Sequence, residues 1–195
     1  MAQTTGLFFG SFNPVHTGHL IIANYFVENT AVDDVWFVLS PQNPFKTEEK
    51  MLDDRARLSL LELATKDNPA FSVCDLELDM PKPSYTLHTL KALREKYPER
   101  EFILMIGSDN LEAFDKWKDY EKLLDLIKIY VYPRSAEVKS PFLSHPNVSL
   151  IRAPLLEISS SSIRQALRGG KNPRYQLPDS VLEHIREHGY FAGDR

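Results

Sequence analysis

The chain has 195 residues, of which 43% are hydrophobic and 26% are charged, and its formal net charge is −4 at pH 7. This length predicts one domain with a sizeable core, and the acidic balance argues against binding of nucleic acid by general electrostatics. The single cysteine, Cys74, cannot form an internal disulfide, and without a signal peptide or an apolar run of about 20 residues we expect a cytoplasmic protein that does not enter a membrane.

Apolar, strand-like runs alternate with helical patterns along the chain. Strands are predicted at residues 5–10, 34–40, 71–78, 101–107, 127–134 and 147–153. Helices are predicted at residues 19–30, 53–67, 84–98, 159–170 and 178–191, with one or two short helices within 108–126. This alternation predicts an α/β fold, a Rossmann-like doubly wound parallel sheet with a small C-terminal helical appendage, in a single domain covering residues 1–195.

The stretch "GSFNPVHTGH" (residues 10–19) joins the first strand to the first helix. Gly10 allows a ligand to approach the backbone, and Ser11 offers a hydroxyl donor. His16 and His19 are spaced i, i+3 and share one face of the first helical turn, whose free N–H groups attract anions. The stretch therefore predicts a phosphate site. A metal site is disfavoured, because no third ligand lies close by in the sequence.

A second stretch, "ISSSSIR" (residues 158–164), begins a later helix. Serines at a helix start cap free N–H groups, and Arg164, one turn on, can reach a bound phosphate with its planar fork. Taken alone, the stretch fits a plain helix cap with a surface arginine equally well. The first stretch favours the phosphate interpretation.

These two stretches resemble the HxGH and ISSTxIR signatures of the nucleotidylyltransferase superfamily. The intervening segments "SPQNPFK", "PSYTLHTL" and "IGSDNLEAFDKWKDYEKLL" follow in order the pattern of the bacterial-type nicotinate-nucleotide adenylyltransferases, so the resemblance covers nearly the whole chain. The chain departs from the family at Phe9, where glycine is frequent, and at Asn13, where aspartate is frequent. Ser11 and Ser161 replace threonines and keep the hydroxyl group.

The resemblance implies adenylyl transfer from ATP, with Mg²⁺ bound to its phosphates, to nicotinate mononucleotide. It implies catalytic roles for His16, His19 and Arg164. The ATP site it implies adds Gly10, Ser11, Phe12, Gly107, Asp109, Ser159, Ser160 and Ser161 to these three. The acceptor site consists of Tyr85, Thr86, Trp117 and Lys118. Two further residues are added to it from their positions, Lys46 as positive charge in the proline-containing loop and Arg134 as a phosphate contact after the fifth strand. Simpler alternatives remain for two of these residues, since Asp109 also fits a helix cap and Trp117 a half-buried packing residue.

Two other functions stay open on the sequence. One is a sister adenylyltransferase with another acceptor, such as phosphopantetheine. The other is a nucleotide-binding sensor that has lost catalysis. The sequence does not determine the oligomeric state.

Overall fold

A computed structural model of the chain describes residues 2–41 and 51–193. The strands are β1 (Gln3–Gly10), β2 (Asp34–Leu39), β3 (Phe71–Cys74), β4 (Arg100–Gly107), β5 (Lys128–Tyr132) and β6 (Val148–Leu150). The α-helices are α1 (Thr17–Asn29), α2 (Asp54–Thr65), α3 (Thr86–Lys96), α4 (Ser108–Glu112), α5 (Tyr120–Leu126), α6 (Ser160–Arg168) and α7 (Asp179–Glu187). Short 3-10 helices cover Leu76–Asp79, Phe114–Lys116 and Pro141–Ser144. Within the described ranges no helix has both the length and the apolar character needed to cross a membrane.

All six strands run parallel in one sheet, in the order β3-β2-β1-β4-β5-β6. This confirms the predicted Rossmann-like doubly wound fold. The chain builds outward from β1 to β3, then returns to the centre and builds outward from β4 to β6. The direction therefore reverses between β1 and β4, and ligands of such sheets bind beyond the carboxyl ends of the strands at this reversal.

Successive side chains on the central strands enter different hydrophobic layers, as the two-residue period of a strand requires. Phe8 packs in a layer with Phe26 of α1 and Val181 of α7. Leu7 packs in the opposite layer with Leu90 of α3. The C-terminal helix, predicted as an appendage, is thus present and fills part of the first layer.

The third strand is shorter than the predicted 71–78. It ends at Cys74, whose pairing partner on β2 is Val38, one residue before the end of β2. Because β2 itself ends one residue later, at Leu39, it offers little further pairing, and the chain turns instead into the 3-10 helix Leu76–Asp79. Cys74 itself is buried, as expected for a strand thiol.

We predict that Leu104→Ala lowers the free energy of unfolding by about 2–5 kcal/mol, because Leu104 is fully buried in the middle of the sheet and its truncation leaves a cavity. Urea unfolding followed by circular dichroism measures the change. Leu126→Ala is the control, since Leu126 is 40% exposed. Equal losses in the two variants would contradict this assignment of the core.

Candidate active site

The loop that follows β1 folds back so that Phe12 enters the core. The Phe12 ring lies edge-on to the rings of Phe8 and His19, with centroid distances of 6.0 and 5.1 Å. Its φ of +42° is in the left-handed region, a conformation that costs a bulky residue energy. A side chain at Gly10 would meet the Phe12 ring at 2.8 Å, which explains the glycine. The Phe12 side chain is therefore core, and only its backbone is left for the predicted ATP contact.

Side chains inside the protein bind the backbone carbonyls of this loop. Arg164 Nη1 donates to the Asn13 carbonyl at 2.7 Å, and Ser160 Oγ donates to the Pro14 carbonyl at 2.9 Å. The two sequence stretches are thus joined directly. Burial lowers the pKa of Arg164, and the nearby Arg168 lowers it further. The structure places the Arg164 guanidinium on the carbonyl side of the loop, where it holds the loop in shape.

The serines at residues 159–162 have two roles: one caps α6, and others bind Arg164 and the loop after β1. Ser159 caps α6, and its hydroxyl accepts a hydrogen bond from the Ser162 N–H at 3.1 Å, as predicted. The Ser161 hydroxyl accepts from Arg164 Nη2 at 3.1 Å. With Ser160 bound to the loop after β1, these serines orient α6 against that loop.

His16 and His19 form a stacked pair at the start of α1, with ring centroids 3.6 Å apart and an interplanar angle of 20°. The backbone N–H of His16 donates to Nδ1 of His19 at 3.2 Å. A neutral His19 therefore carries its proton on Nε2, which makes that atom a donor. A Cβ on Gly18 would lie 3.0 Å from Nδ1 of His16, so the glycine between the histidines makes room for the His16 ring.

The sequence predicts that free backbone N–H groups of this first turn attract an anion. For three of these N–H groups the prediction is wrong, because each already donates a hydrogen bond within the protein. The His16 N–H is bound to His19, and the His19 N–H donates to the His16 carbonyl at 2.9 Å. The Thr17 N–H donates to the Gln176 carbonyl at 2.9 Å, because the segment before α7 passes over the helix start. The side chains of the pair, rather than these amides, remain as the polar groups of the turn.

His16 is neutral at physiological pH. Only 2% of it is exposed, and this burial lowers its pKa from 6.5 to about 4. The positive charge of Arg134 lowers the pKa in the same direction, and a backbone hydrogen bond opposes the shift. The buried His16 ring consequently avoids placing a positive charge beside that of Arg134.

A cavity of about 390 Å³ opens between the carboxyl ends of β1 and β4. Six of the predicted site residues line it, namely Gly10, Tyr85, Thr86, Gly107, Trp117 and Lys118. Trp117 is half-buried against Phe114, with ring centroids 5.1 Å apart, and Lys118 Nζ lies 4.2 Å from the centre of the Tyr85 ring. The cavity thus combines a flat aromatic wall with positive charge.

Sequence reasoning missed the group that fixes the start of α3. Glu77 is buried, and its two carboxylate oxygens accept from the hydroxyls of Ser84 and Thr89, each at 2.7 Å. Tyr85 occupies the N-cap position of α3 without a side-chain cap bond. Glu77 and Ser84 both line the cavity. The one sequence feature that could have indicated this role is the position of Glu77, an acidic residue within an apolar run shortly before "PSYT".

A second, smaller cavity lies on the other side of Phe8 and Tyr132, which line both cavities. Its walls include His16, His19 and Arg134. Arg134, predicted with the acceptor residues, therefore lies with the histidine pair. It pairs with Asp109, whose Oδ1 is 3.9 Å from Arg134 Nε.

Two further features lie at the end of β5. The backbone N–H of Arg134 donates to the Ser108 hydroxyl at 3.0 Å, which ties the end of β5 to the start of α4. Burial raises the pKa of Tyr132 to about 12, so its hydroxyl stays protonated between the two cavities. Lys46 lies outside the described residues.

We predict that protonation of His16 contributes to acid destabilisation. Because the folded pKa is lowered, the unfolded chain takes up the proton first as the pH falls. The contribution of His16 to the free energy of unfolding is fully present above pH 6.5 and is lost as the pH falls through about 4. The free energy of unfolding changes by no more than about 1.4 kcal/mol per pH unit from this one group. Unfolding titrations between pH 7 and 4 measure this slope.

The matched variants are His16→Gln, which removes the titrating ring, and His88→Gln, which changes an exposed histidine on α3. We expect the pH dependence to flatten only in His16→Gln. An unchanged slope in that variant would show that His16 does not contribute.

Comparison with known proteins gives a consistent result. The family model "Cytidylyltransferase-like" matches residues 7–166. A protein of Cytophaga hutchinsonii named "Probable nicotinate-nucleotide adenylyltransferase" is 46% identical over 187 residues, which are 96% of this chain and 97% of the relative. A protein of the same name from Bacteroides fragilis is 48% identical over 186 residues, 95% of this chain and 92% of the relative.

Among solved structures, the nicotinic acid mononucleotide adenylyltransferase of Plasmodium falciparum, complexed with NaAD, superposes with a TM-score of 0.80 at 18% identity. The superposition covers 97% of each chain, and it supports the fold. The family model and the full-length relatives extend the assignment from the fold to the family. The chain therefore belongs to the cytidylyltransferase-like family and, within it, to the nicotinate-nucleotide adenylyltransferases.

Proposed function

We propose that the chain transfers the adenylyl group of ATP to nicotinate mononucleotide, giving nicotinate adenine dinucleotide and pyrophosphate in NAD biosynthesis. The observation that carries this proposal is the cavity of about 390 Å³ beside the histidine pair, with Trp117 on its wall. The names of the full-length relatives support the same reaction. The P. falciparum structures hold NaAD in one case and APC in another. We propose further that the whole chain acts as one domain in the cytoplasm.

The reaction needs no protein nucleophile. A phosphate oxygen of the mononucleotide attacks the α-phosphorus of ATP, and the bond from that phosphorus to the β-phosphate oxygen breaks, so that pyrophosphate leaves. The protein then contributes positioning and stabilisation of charge on the phosphoryl oxygens. We assign charge stabilisation to Nε2–H of His19 and to the Arg134 guanidinium, with the neutral His16 ring supporting His19 by stacking.

The remaining predicted residues position the nucleotide. Gly10 and Gly107 let the two reactants approach the ends of β1 and β4, and the Ser11 hydroxyl adds a donor. Asp109 is held near Arg134 and is assigned to the ATP ribose or phosphates. Arg164 and the serines of α6 act on the nucleotide by holding the loop after β1.

Mg²⁺ enters as part of the ATP substrate in this proposal. The polar side chains that line the smaller cavity are the two imidazoles, the Tyr132 hydroxyl and the Arg134 guanidinium, which suit phosphate oxygens better than a bare hard cation. Within residues 2–41 and 51–193, the one group of three potential metal ligands is His184, Glu187 and His188, outside both cavities. Phosphate oxygens and water would hold the Mg²⁺, which neutralises charge on the leaving pyrophosphate.

The acceptor occupies the larger cavity. Its pyridine ring stacks on Trp117. Its carboxylate meets the start of α3, where the amides of Thr86 and Leu87 precede the first intrahelical bond, which runs from the His88 N–H to the Tyr85 carbonyl, and where Lys118 adds positive charge. A carboxylate accepts hydrogen bonds at both oxygens. A carboxamide turns its NH₂ toward one of these donors and leaves it unpaired, at a cost of about 1–3 kcal/mol.

We predict that pyrophosphate release with Mg²⁺–ATP is fastest with nicotinate mononucleotide. The nicotinamide form should be at least about 10-fold less efficient in kcat/KM, because a loss of about 1.4 kcal/mol, which lies within that energy range, is a factor of ten. Phosphopantetheine, included in the same assay, should not react. Release with phosphopantetheine alone would identify a sister transferase, and no release with any acceptor would identify a non-catalytic sensor.

We predict that Trp117→Ala raises KM for nicotinate mononucleotide by about 5- to 100-fold and leaves KM for ATP unchanged, since stacking on a base is worth about 1–3 kcal/mol. Steady-state kinetics with each substrate varied in turn measure both constants. Trp117→Phe is the control, because it keeps an aromatic face. An equal rise in both KM values would assign Trp117 to packing rather than to the acceptor.

A further inference from the structure

Arg57, on α2, has none of its surface exposed to solvent and lines neither cavity. Its side chain makes five hydrogen bonds. Nη1 donates to the carbonyls of Ser11 at 2.6 Å and Ser40 at 2.9 Å. A guanidinium has five N–H donors, and the number of its bonds equals that capacity.

The other three bonds complete the set. Nη2 donates to the Pro41 carbonyl at 3.1 Å and to Asp54 Oδ1 at 2.6 Å, and Nε donates to the Leu52 carbonyl at 3.2 Å. One buried group therefore binds the loop after β1, the end of β2 and the residue that leads into α2. These segments meet at the carboxyl edge of the sheet, where the candidate active site lies.

The loops after β1 and after β2, which Arg57 binds, both contribute to the proposed binding sites. Ser11 belongs to the stretch that ends in the histidine pair, and Ser40 lines the larger cavity. The Leu52 N–H also donates to Asn13 Oδ1 at 3.2 Å, so the same stretch is held at two points. A shift of Arg57 would consequently move the nucleotide side and the acceptor side relative to one another.

The charge of Arg57 is balanced by Asp54, which also accepts from Lys82 Nζ at 2.9 Å. Burial alone would raise the pKa of Asp54, but hydrogen bonds from Lys82 and Arg57 hold it below its ordinary value. Lys82 stands two residues before Ser84, at the approach to α3. The chain of charges Lys82–Asp54–Arg57 thus reaches from the acceptor side to the loop after β1.

We propose that Arg57 is a positioning residue for adenylyl transfer, which sets the distance between the loop carrying the histidine pair and the acceptor cavity. The inference rests on the proposed function. It makes Arg57 act on the reaction through Ser11 and Ser40, without touching either reactant.

Arg57→Lys tests this proposal. Lysine keeps the charge but offers three donors from a single nitrogen, so it cannot replace the five bonds that Arg57 makes from its three nitrogens. Since misplacement of reactants by about 1 Å can cost 100-fold in rate, we expect kcat to fall at least about 10-fold. Both KM values should change much less, because neither cavity loses a contact. Hydrogen exchange at the amides of His16, Thr17 and Ser40 should become faster.

Two variants of the same helix serve as controls. Arg55→Lys changes an exposed arginine two residues earlier and should leave kcat unchanged. Leu60→Ala removes a fully buried side chain and should lower the melting temperature, yet it should keep kcat at temperatures where the variant is folded. A loss in Arg57→Lys that only tracks the folded fraction, as in Leu60→Ala, would overturn the proposal.

Asp54→Asn gives a second route if Arg57→Lys does not fold. It keeps every donor of Arg57 but removes the carboxylate that balances the charge, and kcat should again fall more than either KM changes. An unchanged kcat in folded Asp54→Asn would then overturn the proposal. The unmodified protein is measured in the same assay. Absence of pyrophosphate release there would refute the proposed function, a result distinct from failure of the positioning role.

Discussion

The candidate active site depends on how the backbone carbonyls after β1 are satisfied. Arg57 binds the Ser11 carbonyl, Arg164 binds the Asn13 carbonyl, and Ser160 binds the Pro14 carbonyl. A buried carbonyl without a partner costs free energy, so the loop is stable in this shape only with these donors in place. The donors come from α2 and α6, elements far apart in the chain, and the shape of the loop is consequently a property of the whole fold.

This arrangement concentrates positive charge around the loop, and the protein limits the cost in different ways. Arg57 has Asp54 as a counter-ion, and the half-exposed Arg134 has the exposed Asp109 nearby. His16 avoids a further charge by remaining neutral, because burial and Arg134 both lower its pKa. The result is a polar site with cations at its border and a neutral His16 inside, which suits a polyanionic substrate.

Much of the candidate site was predicted from the sequence because its signals are local. The pair His16 and His19 follows from helical spacing and from the strand–loop–helix pattern. Glu77 and Arg57 gave no comparable signal, since an acidic residue in an apolar run and an arginine in a helix are ordinary features. Their roles arise from partners such as Thr89 and Ser11, which no local pattern connects to them.

The sequence by itself determined the alternation of strands and helices, the parallel sheet, and Gly10 and Gly107 as strand ends, because hydrophobic periodicity and turn residues act over short stretches. Only the tertiary structure decided that β3 ends at Cys74, that the Thr17 amide is bound by Gln176 and that Arg134 lies with the histidine pair. The physical reason is the same in each case. These outcomes depend on which segments the sheet order brings side by side, and contacts between distant segments leave no period in the sequence.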